Sequence, residues 1–233
     1  EIEVKKDTYQ SITKKAKILQ LPFVRGVFRF ADSMIIGMRG HDFGRMEPRA
    51  LALAIREAGF EATQLAFAKA FPAPAEQYMT PGALSEIRSA FAGIVLPVMG
   101  CYVSASDRDS DVLAEAKARF KRSLSASVIL GAGCVGTETT HFTFPESERE
   151  AAYARLLDFT REVCAHAEQV HALVGIEPVA LHTLNTPELT RRLIADVSSP
   201  NLRVILDTAN LVTPETTAPE AQMEILERAL SCF

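Results

Sequence analysis

The chain has 233 residues, a formal net charge of −4 and 23% charged residues, enough for one large domain or two small ones. This balance supplies no general basic field for gripping a phosphate backbone, so no nucleic-acid partner is expected. No apolar run approaches the ~18 residues of a membrane span. The opening Glu1-Ile2-Glu3-Val4-Lys5-Lys6 has no signal-peptide character, so no membrane partner is expected either. Cys101, Cys134, Cys164 and Cys232 lie far apart without a CxxC pair, which fits reduced thiols in a cytoplasmic protein.

Residues 1–32 read as an N-terminal extension, with a short hairpin turning at Arg25-Gly26. From residue 33 to 233 the pattern is regular. Met34-Ile35-Ile36-Gly37-Met38 is expected as a buried strand, followed by the glycine-punctuated Gly40-His41-Asp42-Phe43-Gly44 and a helix over residues 48–58, opened by Pro48 and closed by Gly59. Ala62-Thr63-Gln64-Leu65-Ala66-Phe67 reads as a second strand, and a helix from Pro81 should bury Leu84, Ile87 and Phe91. Gly93-Ile94-Val95-Leu96-Pro97-Val98 reads as a third strand, and its helix, from about Asp107, carries Val112, Leu113, Ala116 and Phe120 on one stripe.

Ser127-Val128-Ile129-Leu130-Gly131 reads as a fourth strand running into a loop, Gly133-Cys134-Val135-Gly136-Thr137-Glu138-Thr139. A long helix over residues 146–169 repeats Tyr153, Leu156, Leu157, Val163, Cys164 and Ala167. Val174-Gly175-Ile176-Glu177 is an apolar run ending in a carboxylate, and Thr186-Pro187 announces the next helix. Val204-Ile205-Leu206-Asp207 repeats the pattern before a last helix from Pro219 with Met223, Leu226 and Leu230. Strand and helix alternate about six times, which argues for a parallel α/β fold. No GxGxxG follows the first strand, so no dinucleotide site is expected there. Two carboxylates at consecutive strand ends can share a cation.

Gly175-Ile176-Glu177-Pro178 with His182, followed by Val204-Ile205-Leu206-Asp207-Thr208-Ala209-Asn210-Leu211, resembles the xylose-isomerase-like TIM barrels, in particular their sugar phosphate isomerase/epimerase group. Gly40-His41-Asp42, the segment from Gly59-Phe60 to Gln64-Leu65, and Gly136-Thr137-Glu138-Thr139 are similar to the same group. The resemblance implies a (β/α)8 barrel of which about six units are present. It also implies a divalent metal (Mn, Mg, Co or Zn) held by Glu177 and Asp207, with Glu177 doubling as the proton-transfer group. The histidine and glutamate that complete such a site after the seventh and eighth strands have no position here, so residues are expected to continue beyond Phe233. Asn210 stands where ketose epimerases carry the histidine of a D-x-x-H pattern.

The implied activity moves a proton next to a carbonyl of a small carbohydrate or polyol through an enediolate. His41, Gln64, Lys69, Tyr102, Glu138, His182 and Asn210 are the candidates for holding that substrate. Each has a plainer reading: the acids as caps or arginine partners, the histidines as core groups, Lys69 as a solvated surface charge. Cys101 and Cys134 read as packing residues, and His141, His166 and His171 as structural. An endonuclease-IV-like phosphodiesterase and a non-catalytic carbohydrate-binding barrel remain as alternatives, and association of identical copies is left open.

Overall fold

The computed structural model describes residues 35–232. The N-terminal extension, its hairpin at Arg25-Gly26 and Met34 of the first expected strand lie outside the described residues. The strands, all parallel, are β1 (Gly37–Arg39), β2 (Ala62–Gln64), β3 (Val98–Gly100), β4 (Cys134–Glu138), β5 (Val174–Glu177) and β6 (Leu202–Val204). Between and after them run α1 (Pro48–Glu57), α2 (Phe67–Ala70), α3 (Pro81–Ala90), α4 (Ser110–Leu130), α5 (Arg149–Val170), α6 (Pro187–Val197) and α7 (Pro219–Cys232).

Ladder bonds join β1 to β2 and run continuously from β3 to β6. β2 and β3 are stitched by single bridges, Ala62 with Val95 and Leu65 with Met99, where Thr63 N donates to Val95 O at 2.9 Å and Gly100 N to Leu65 O at 3.0 Å. Strands adjacent in the chain are therefore adjacent in space, each crossover passing over the outside. That is the winding of a (β/α) barrel, and it puts every strand's C-terminal end on one rim.

Local chemistry sets the helix boundaries. Thr80 Oγ1 accepts from Ala83 N at 3.3 Å and Thr186 Oγ1 from Leu189 N at 3.1 Å, each just ahead of a proline that opens the helix. Asp109 caps α4 through Asp111 N at 2.8 Å, and Gly131, at φ 71°, ends it in the left-handed conformation that glycine adopts without strain. The stripe Ala116, Phe120, Leu124, Ser127 and Leu130 is buried along α4, and Phe120 meets Phe159 of α5 edge-on at 5.6 Å.

Inside the sheet, Gly136 of β4 and Gly175 of β5 lie opposite each other and leave room for one side chain, Ile205. A methyl on Gly136 would sit 2.6 Å from Ile205 Cδ1, and one on Gly175 would sit 2.9 Å from the same atom. The backbone of Ile205 is tied to β5 as well, its N donating to Ile176 O at 2.9 Å. Packing thus fixes the segment that leads to Asp207.

Several expected boundaries move. Ser127-Val128-Ile129-Leu130 is not a strand but the last turn of α4, with Val128 and Ile129 turned outward, and the supposed loop at Cys134 is the strand β4. A short β-branched run inside a helical stripe gave a false strand, while small residues concealed a central one. Phe67 belongs to α2 rather than β2, because its ring packs on Phe71 at 4.9 Å. The first and third strands begin later than expected, at Gly37 and Val98. Val112 of α4 and Met223 and Leu230 of α7 are exposed, the covered face of α7 being centred on Ala229.

Candidate active site

The rim formed by the strand C-termini gathers all nine residues singled out from the sequence. Arg39 ends β1 and His41 follows it. Gln64 ends β2, Glu138 ends β4 and Glu177 ends β5. Tyr102 lies two residues past β3, and Asp207 and Asn210 follow β6. Parallel pairing brings these positions together although they are scattered along the sequence.

Glu177 is the most enclosed carboxylate among the described residues, with 7% of its surface exposed. Asn210 Nδ2 donates to its Oε1 at 2.6 Å. Burial pushes the Glu177 carboxyl above its ordinary value; the nearby Glu138 and Asp207 carboxylates add to this, and the Asn210 hydrogen bond and Lys69 oppose it. Glu138 stands directly across the β4–β5 ladder from Glu177. Its Oε2 lies 3.8 Å from His182 Nε2, while His182 Nδ1 is buried without a hydrogen-bond partner among the described residues. Burial lowers the His182 pKa, so the ring is neutral at neutral pH.

Gln64 Nε2 donates to the Tyr102 hydroxyl at 2.9 Å, and Lys69 Nζ lies 3.6 Å from the centre of the Tyr102 ring. Burial, with Glu177 and Glu138 nearby, raises the Tyr102 pKa and keeps the phenol protonated. Gly100 makes this possible: a methyl there would meet Tyr102 Cε2 at 3.1 Å and Ala66 Cβ at 3.0 Å. His41 Nδ1 is likewise buried and unpartnered among the described residues, and burial lowers its pKa, with Asp42 opposing and Lys69 and Arg39 adding to the shift.

Three neighbours were not anticipated. Arg39 forms a two-pronged contact with Asp42 at 3.0 and 3.1 Å and feels Tyr102 and Asp207. Its position as the last residue of a strand was the available signal. His141, read as structural, has its ring 5.7 Å from that of His182, and the two residues pair as a backbone bridge. Arg149, at the start of α5, donates to the carbonyls of His182 and Thr183, both at 3.0 Å, and stacks on Phe142. It opens the helix after β4 and carries no motif. His166 and His171 lie elsewhere, the first bonded to Ser125 between α4 and α5 and the second at the end of α5. Cys101 and Cys134 are buried thiols whose pKa burial pushes up, Cys134 to about 11, so neither is a ready nucleophile.

Glu177 and Asp207 are hard oxygen donors at neighbouring strand ends. One oxygen of each is engaged, Glu177 Oε1 by Asn210 and Asp207 Oδ1 by Ala209 N at 2.9 Å, which leaves the other for a ligand. Among the described residues no group of three His, Cys, Asp or Glu side chains could hold a metal ion. Two carboxylates nevertheless match the way Mg²⁺ binds, with water and substrate oxygens filling the remaining positions.

A parallel α/β sheet whose strands follow one another in chain order without reversal, with its polar residues on the C-terminal rim, is the architecture of the TIM-barrel proteins. The family model for the xylose isomerase-like TIM barrel matches residues 52–231, and the chain belongs to that family. No curated protein matches it in sequence. Among solved structures it is similar to the apo form of 3-keto-D-glucoside 4-epimerase from E. coli, with TM-score 0.68, 16% identity, and 84% of this chain and 76% of that one covered. It is also similar to D-psicose 3-epimerase from Clostridium cellulolyticum H10, solved with D-tagatose, at TM-score 0.67 and 17% identity, covering 86% and 71%. A xylose isomerase-like TIM barrel protein from Mycobacterium smegmatis, in complex with magnesium, matches at TM-score 0.65 and 18% identity, covering 87% and 73%. At these identities the likeness concerns the fold. No helix among the described residues is long and apolar enough to cross a membrane.

Proposed function

We propose that the chain acts as a divalent-metal-dependent isomerase or epimerase of a small carbohydrate or polyol derivative, with Glu177 as the group that moves the proton. The observation that carries this reading is the enclosed Glu177 carboxylate at the end of β5, held at one oxygen by Asn210. Enclosure keeps water from competing for the proton that such a base abstracts. The other strand-end residues supply the hydrogen-bonding types a polyol requires. The epimerases among its structural neighbours support the same class.

Glu177 and Asp207 would hold the cation, and when bound it supplies a Lewis acid that stabilises negative charge growing on the substrate's carbonyl oxygen. Glu177 takes the proton from the carbon beside that carbonyl, and the C–H electron pair becomes the C=C bond of the enediolate as the C=O pair moves to oxygen. Returning the proton to the former carbonyl carbon, while the hydroxyl proton passes between the two enediolate oxygens, gives the isomer; delivery to the opposite face of the same carbon, from a second acid on that face, gives the epimer. Gln64, Tyr102 and His182 orient the hydroxyls, the neutral His182 ring being able to donate from one nitrogen and accept at the other. Lys69 and His41 close the site on the β1–β2 side.

Incubation of metal-loaded protein with a panel of ketoses in heavy water tests this. Deuterium should enter beside the carbonyl, and Glu177→Gln should slow its entry by about 10²- to 10⁴-fold. Cleavage of abasic DNA without exchange would replace the reading with the nuclease one, and sugar affinity with neither reaction would replace it with a binding module.

A further inference from the structure

A cavity of about 200 Å³ abuts the rim, sharing Lys69 and Tyr102 with it and reaching Cys101, Arg119 and Ser123. Among the described residues its charged lining consists of two cations, Lys69 and Arg119, and no carboxylate lines it. Neither cation forms an ion pair among the described residues. Lys69 rests on the Tyr102 ring, and the half-buried Arg119 guanidinium has no acceptor among the described residues. Ser123 Oγ is spent on the Arg119 carbonyl at 3.1 Å, one turn along α4, and does not hold the guanidinium. Burial keeps the Cys101 thiol protonated, so it adds no negative charge. On its other side Arg119 borders a hollow shared with Arg45 and Glu76, and no ion pair with Glu76 forms there.

Two like charges facing one small, partly enclosed space raise its potential and favour an anion over water. The pairing of types is informative. A guanidinium offers a planar fork that matches the oxygens of phosphate or carboxylate, while an ammonium offers a movable point charge. Its cation–π contact with Tyr102 places the Lys69 ammonium at the boundary between this cavity and the rim.

We propose that this cavity is an anion subsite, in which Arg119 and Lys69 take the phosphate or carboxylate of a substrate whose carbonyl end faces Glu177. The assignment of the anion to the substrate rests on the isomerase reading, whereas the binding of an anion does not. The substrate class is therefore an acidic sugar or sugar phosphate rather than a neutral ketose.

Calorimetric titration of the full chain with inorganic phosphate, at fixed ionic strength, tests the subsite directly. Phosphate should bind, Arg119→Gln should weaken it by about tenfold or more, and Arg119→Lys, which keeps the charge but loses the fork, should fall between the two. No binding at millimolar phosphate, or equal affinity in Arg119→Gln with an unchanged melting temperature, overturns the subsite. Fructose 6-phosphate should displace the phosphate and fructose should not. Simultaneous binding of phosphate and fructose 6-phosphate overturns the assignment to substrate. If phosphate binding responds to Arg119 while no acidic or neutral sugar exchanges deuterium, the isomerase reading falls and the anion subsite stands.

Discussion

Asn210 Nδ2 donates to Glu177 Oε1 at 2.6 Å, linking the segment after β6 to the end of β5. The bond opposes the rise in pKa that burial imposes on the carboxylate, because it stabilises the charged form. Asn210→Ala should therefore move the acid limb of the kcat/KM profile to higher pH. Asn210→Asp should move it further, by adding a like charge. Profiles of both variants with whichever ketose exchanges deuterium would check this, and an unmoved limb would remove Glu177 from the role of base.

Glu177 also makes a prediction for stability in the metal-free, chelator-treated protein. Its folded pKa is raised, so the native chain binds this proton more tightly than the unfolded chain. The contribution is fully present below the unfolded glutamate value of about 4.3 and is lost as pH rises through the folded value. Glu177→Gln, which needs no charge in the site, should melt above the parent at pH 7 and with it at pH 4. Each kcal/mol gained corresponds to about 2–4 °C in a chain of this size.

Arg149 places the turn that carries His182. Its two hydrogen bonds run from a charged donor to the carbonyls of His182 and Thr183, and such bonds contribute about 1.5–3 kcal/mol each. Arg149→Gln should loosen that turn and raise KM about tenfold or more, with a smaller change in kcat. Equal losses in kcat and kcat/KM would instead assign it a part in the transition state.

Two glycines separate backbone from side-chain crowding. A methyl on Gly133 would lie 2.6 Å from the carbonyl oxygen of Pro97, which cannot move without breaking into the sheet. A methyl on Gly136 would meet the tips of Ile205 and Val98 at 2.6 and 2.7 Å, both able to turn. Chemical denaturation should show Gly133→Ala losing more than Gly136→Ala, with the latter near the ~1–3 kcal/mol typical of overpacking.

The rim was more legible in the sequence than the walls that carry it. Glu177 and Asp207 stood out because each ends an apolar run, and parallel pairing turns such ends into neighbours. β4 was concealed because a strand buried on both faces needs no β-branched signature when small residues give way to neighbours, as Gly136 does for Ile205. The turn Ser127-Val128-Ile129-Leu130 misled for the opposite reason, since its β-branched residues face outward on a helix. Arg119 was silent because a lone arginine inside a helix carries no periodic or motif signal. Only the fold shows that Lys69, from another element, shares its cavity.

Ile205 occupies the space that two glycines on two different strands vacate. These three positions are consequently a single steric variable, and related sequences should not vary them independently. Where either glycine has acquired a side chain, position 205 should have shortened to valine or alanine. The pairing pattern across such a lineage would show whether the path of the chain into Asp207 has been inherited along with its carboxylate.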